Sequence, residues 1–200
     1  EWVGQVDLHG SHEFVRLEVS QDLSGAMEWP NQLRFRCPVL GLEGDPDTIQ
    51  FDVGSDPRGP LVFTVQHVGD LLHGVVIQGD VRGSCWLRPS ATLDLAQYHR
   101  FVGDYTIGAA RHVTLGLNSD PAWGGPYAFY TEADRVVRLH PIAVSTFLSE
   151  NLESVSLISG QDDEPTVRWE QHGDEGPAVR APSYREEPVL FDEVVFHNAL

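Results

Sequence analysis

Trp2-Val3-Gly4-Gln5-Val6-Asp7-Leu8 returns 99 residues later as Phe101-Val102-Gly103-Asp104-Tyr105-Thr106-Ile107. Both copies run aromatic, Val, Gly, and then alternate towards an aliphatic residue. The echo continues from Phe14–Ser20 to His112–Asn118, and from Leu23–Trp29 to Gly124–Tyr130. Self-similarity at a fixed spacing marks a repeated architecture. Period-two alternation marks strands with one buried face. The chain therefore reads as two copies of one all-β unit.

Working outward from the first copy, 2–8, 13–19 and 24–29 read as strands, with Phe14 out of phase with Val15, Leu17 and Val19. Between Gln32 and Asp47 the pattern is broken by Pro38, Gly41, Gly44 and Pro46, which predicts an irregular crossing with a short strand near Val39-Leu40. Ile49, Phe51 and Val53 share a face. A meander follows, Leu61–Val68, Leu71–Gln78 and Val81–Leu87, turned at Gly69-Asp70 and Gly79-Asp80. Leu93–Tyr98 has helical spacing, with Thr92 or Asp94 as cap. The second copy predicts strands near 101–108, 111–118, 125–131, 134–140, 144–149, 153–159, 165–171 and 178–184. The expected organisation is all-β, two tandem antiparallel barrel or sandwich units joined by a short helix. The first unit spans 1–90, the second 91–187, and an exit strand occupies 188–200.

Composition excludes several functions. The 30 acids and 13 bases give a formal charge of −17, which repels nucleic acid and anionic membrane. Every base other than histidine is arginine, so lysine Schiff-base, P-loop and S-x-x-K chemistries are absent. No apolar run approaches the ~20 residues of a membrane helix. Cys37 and Cys85 cannot make a structural zinc site without help from histidine. A disulfide between them is conceivable, but two buried free thiols are the plainer expectation. The chain begins without Met, which leaves room for a removed leader; the cytoplasm is slightly favoured over secretion.

Several motifs together resemble the β-rich, lipocalin-like N-terminal region of bacterial α/β-hydrolase-fold serine hydrolases. They are Trp2-Val3-Gly4, Ile49-Gln50-Phe51, Gly74–Gln78, Phe101–Tyr105, Tyr127–Tyr130, Arg138-Leu139-His140-Pro141, Phe147 and Arg185-Glu186-Glu187 through Phe196. The resemblance implies an accessory domain that shapes substrate access or assembly beside a hydrolase catalytic domain. It transfers no catalytic residue, because the strand–Gly-x-Ser-x-Gly–helix elbow of that fold does not occur in these 200 residues.

Local constellations add little chemistry. His9-Gly10-Ser11-His12-Glu13 has metal-like residues, but a polar hairpin loop explains them. In the expected hairpin, His67 and His73 point to opposite faces. Ser84, Ser145 and Ser183 have no fixed histidine partner, and neither Asp162-Asp163-Glu164 nor Glu186-Glu187 offers an apolar setting for acid–base work. No cofactor or metal is expected. Aromatic residues are the better binding candidates: Trp29, Tyr105, Trp123, Tyr127 and Tyr130, with Tyr127 and Phe129 on one face and Tyr130 on the other. They would either fill a barrel or line a pocket for a small apolar metabolite, and in the second case a cyclase or isomerase activity is the alternative to an accessory role. Trp86 and Trp169 read as core. Sheet edges would offer a homodimer interface, opposed by the acidic surface.

Overall fold

The computed structural model describes residues 1–22, 24–32, 34–45, 47–54, 58–108, 111–118, 126–159, 165–171 and 174–180. Trp123, the acidic tract 161–164 and the segment 188–200, where an exit strand was expected, lie outside them. The first sheet comprises β1 (Trp2–Leu8), β2 (Ser11–Val19), β3 (Gly25–Trp29), β4 (Arg34–Gly44), β5 (Thr48–Val53), β6 (Leu61–Val68), β7 (Leu71–Gln78) and β8 (Val81–Pro89). Each strand pairs with the next, and β8 returns to β1 through Gly4↔Leu87 and its neighbours, closing an antiparallel barrel.

After helix α1 (Leu95–His99), a second closed sheet runs through β9 (Gly103–Ile107), β10 (Arg111–Asn118), β11 (Tyr127–Glu132), β12 (Arg135–Ala143), β13 (Thr146–Ser149), β14 (Ser154–Ser159), β15 (Pro165–Gln171) and β16 (Asp174–Arg180). Its seam is the short pairing of Ala178–Arg180 with Ile107–Tyr105. The all-β tandem architecture is thus as expected. In the first unit, closure pairs both edges of each described strand.

Turn chemistry sets the register of the meander. Val68 faces Leu71, His67 faces Leu72 and Gln66 faces His73, while Gln78 faces Val81 across the second turn. His67 and His73 therefore occupy opposite faces, as the two-residue loop requires. At α1, Asp94 is the N-cap, and its carboxylate accepts from the Gln97 amide at 3.1 Å.

Two expectations are corrected. The region from Gln32 to Asp47 is not an irregular crossing with a short strand; most of it is β4, eleven residues long. Bulges absorb its breakers. Register shifts fall between Met27 and Trp29 on one side and between Leu40 and Glu43 on the other, and Arg36 and Gly41 take φ of 54° and 59°. The last strand begins at Asp174, four residues before the expected start at 178, and Ala178–Arg180 pairs with β9 to close the ring; the expected continuation through 181–184 lies outside the described residues.

Contacts divide the chain into Glu1–Thr92 with His140–Ser154, and Leu93–Leu139 with Val155–Leu200. An eight-strand barrel is just wide enough for side chains to fill. In the first unit the lumen is packed by Val6, Val15, Leu17, Met27, Phe51, Phe63, Val65, Val76 and Leu87, with Phe51 stacked on Phe63 at 4.8 Å. The outward phase of β1 and β2 is buried as well. Val3 and Phe14 pack with Leu148, Ile142, Leu152 and Trp86, and His140 stacks on Phe14 at 4.8 Å. Cys85 is buried in the core and Cys37 half-buried beside it; both are free thiols.

Candidate functional site

In the first unit, Leu8 pairs with Ser11, so His9-Gly10 is a two-residue turn with positive φ at both positions. The turn sends its histidines apart. His9 Nε2 meets Gln78 Oε1 at 3.0 Å, and His12 Nδ1 donates to Asp7 Oδ1 at 2.5 Å. Among the described residues no group of three His, Cys, Asp or Glu is placed to hold a metal ion.

Asp7 is the centre of a polar cluster. Gln5 Nε2 also donates to Oδ1, and Ser84 Oγ donates to Oδ2 at 3.0 Å. Ser84 thus shares an acid with a histidine, but in the wrong order. Nucleophilic catalysis needs serine bonded to histidine with the acid behind it. Here the carboxylate stands between them. Burial pushes the Asp7 carboxyl up, and hydrogen bonds from His12, Gln5 and Ser84 outweigh that and hold it below its ordinary value. A carboxylate so held is a weak base at neutral pH.

Trp29 is 4% exposed in the core of the first unit, and of the other aromatic candidates Tyr105, Tyr127 and Tyr130 belong to the second, while Trp123 lies outside the described residues. Tyr105 is buried, and its hydroxyl donates to the Phe101 carbonyl at 2.7 Å. Tyr127 and Phe129 share a face, with ring centroids 6.1 Å apart. Tyr127 accepts from Asn118 Nδ2 at 2.8 Å, and the Arg138 guanidinium lies 4.4 Å over its ring. Phe129 lies flat against Gly116, where a Cβ would come within 2.3 Å of the ring. Tyr130 occupies the opposite face, as alternation requires.

Tyr130 leads to a constellation that its own strand does not reveal. Its ring meets Trp169 edge-on at 4.8 Å. β11 and β15 stand four places apart in an eight-strand ring, so this contact crosses the lumen. Arg111 sits beside the pair, its guanidinium 5.0 Å from the indole centroid and 5.9 Å from the Tyr130 centroid. Glu132 holds that guanidinium by two parallel bonds, from Nε and Nη2, both 2.8 Å. Arg111 opens β10 and Glu132 ends β11, so the ion pair lies at one end of the barrel, partly in water.

Beneath it, Trp169 is 2% exposed, and its buried Nε1–H has no acceptor among the described residues. An unpaired buried donor costs about 1–3 kcal/mol. Of this group, alternation identified Tyr130 and gave Trp169 only as core. Arg111 and Glu132 were missed, though each carries a charge in the inward phase of its strand.

No family model, curated protein or solved structure matches the chain.

Proposed function

We propose that the chain is a non-catalytic accessory module that serves an α/β-hydrolase-fold serine hydrolase by shaping substrate access or assembly. The observation that carries this reading is the order Ser84–Asp7–His12, in which the acid separates the would-be nucleophile from the would-be base. The residues behind the resemblance support it by where they fall. Trp2-Val3-Gly4 opens β1, Phe101–Tyr105 leads into β9, and Tyr127–Tyr130 and Arg138–Pro141 lie in the adjacent strands β11 and β12. The packed core of the first barrel provides a rigid wall, and rigid walls beside an active site position substrate without taking part in the chemistry.

The test is to incubate the purified chain with p-nitrophenyl esters and a fluorophosphonate probe. Hydrolysis at the uncatalysed rate and an unmodified intact mass are expected. Turnover, or a covalent adduct on any serine, overturns the reading.

A further inference from the structure

The outer face of β5–β8 departs from the acidic character of the chain. Inward positions of these strands fill the first barrel, and the alternate positions face out. Among those outward positions Asp52 is the only acid, in a chain that carries 30. Register sets one row across the four strands: Asp52 beside Val62, Val62 beside Ile77, and Ile77 beside Arg82. Ile77 is 39% exposed, Arg82 is exposed, and Val62 and Asp52 are half-buried. Neither Asp52 nor Arg82 forms an ion pair among the described residues. An apolar centre with charge held to its margins is the composition of an interface.

The row is complementary to itself. It runs acid, apolar, apolar, base over three strand spacings of about 4.8 Å, so each charge stands roughly 7 Å from a line midway between Val62 and Ile77. A two-fold axis along that line, parallel to the strands, lays Asp52 of each protomer on Arg82 of the other and Val62 on Ile77. The neighbouring rows agree, since the same axis lays Thr64 on Val75 and Gln66 on His73. An axis across the strands would set Asp52 on Asp52 and Arg82 on Arg82, so charge selects the first arrangement. Remote acids weigh little, because at physiological salt charges beyond about 8 Å are largely screened.

We infer that the first barrel forms an isologous dimer through the outer face of β5–β8, Asp52 of each protomer pairing with Arg82 of the other. The contact needs no sheet edge. It goes beyond the accessory role and does not rest on it.

Sedimentation equilibrium of the whole chain is the test, and a monomer–dimer equilibrium is expected below about 1 mM. Asp52→Arg and Arg82→Asp each bring like charges together at both contacts, and each weakens the dimer about tenfold. Mixed in equal amounts, the two variants associate again, because each arginine of one then meets an aspartate of the other. Arg135→Asp, at an exposed arginine of the second unit, changes net charge as Arg82→Asp does and leaves the equilibrium unchanged. A wild-type chain that is monomeric at about 1 mM overturns the inference. So does a dimer that either charge reversal leaves intact, or a mixture that associates no more tightly than the separate variants. Equal weakening by Arg135→Asp and Arg82→Asp overturns it as well, since net charge alone would then explain the effect.

Discussion

Gly4 stands at the seam where the first barrel closes, and replacing it with alanine tests that closure. A Cβ at this position would lie 1.9 Å from the Trp86 carbonyl oxygen and 2.8 Å from Leu87 Cα. Ordinary carbon–oxygen contact is about 3.3 Å, so β1 and β8 would have to part by more than an ångström. Nothing here can rotate away, since the obstructing atoms are backbone of the paired strand. Overpacking of this kind costs typically about 1–3 kcal/mol, and the rigid obstacle puts Gly4→Ala near the top of that range. For a unit of this size that lowers Tm by ~12 °C. Gly10→Ala is the control. There a Cβ meets nothing within 4 Å, and only the φ of 78° penalises it, which costs about 1–2 kcal/mol. Thermal unfolding followed by circular dichroism separates the two. A Gly4→Ala loss no larger than that of Gly10→Ala would refute the reasoning.

Tyr105→Phe removes the 2.7 Å hydrogen bond to the Phe101 carbonyl; a loss of about 1 kcal/mol is expected from urea midpoints, and an unchanged midpoint would speak against that bond. Asp7 is held below its ordinary value, so its contribution to stability is full above about pH 4 and fades as pH falls through its lowered folded value. Asp7→Asn should flatten that acid limb, and identical wild-type and variant slopes between pH 2 and 6 would show the shift to be unimportant. Burial pushes the Cys85 thiol up to about 12, so under native conditions at pH 8 a disulfide reagent should titrate the half-buried Cys37 and spare Cys85 until the protein is unfolded. Equal rates for the two thiols would contradict the packing around Cys85.

How much of this was legible depended on how local the cause was. The meander could be read to the residue, because Gly69-Asp70 and Gly79-Asp80 fix the register of the strands they join. The opposite phases of Phe14 and Val15 were also legible, and they correspond to burial on the two sides of β2. β4 was misread because Pro38 and Gly41 look like breakers when no partner strand is in view; paired with β3 and β5 they become positions in a bulged strand. Barrel closure joins Trp2 to Pro89 and Tyr105 to Arg180, which no alternation within a strand can signal. The Arg111–Glu132 pair is hidden for the same reason. It is diagonal across β10 and β11, whose register, Thr114 opposite Thr131, is set over a long connection rather than by a tight turn. Trp29 was singled out as an aromatic at a place the two repeats share, and Tyr105 as one wall of a possible barrel cavity; both are buried.

The accessory role is tested most directly by sequencing the gene through and beyond the Leu200 codon, together with its neighbours. The expected result is an α/β pattern of parallel strands and helices carrying a strand–Gly-x-Ser-x-Gly–helix elbow, in the same reading frame or in an adjacent gene. A locus that encodes no α/β-hydrolase sequence contradicts the role.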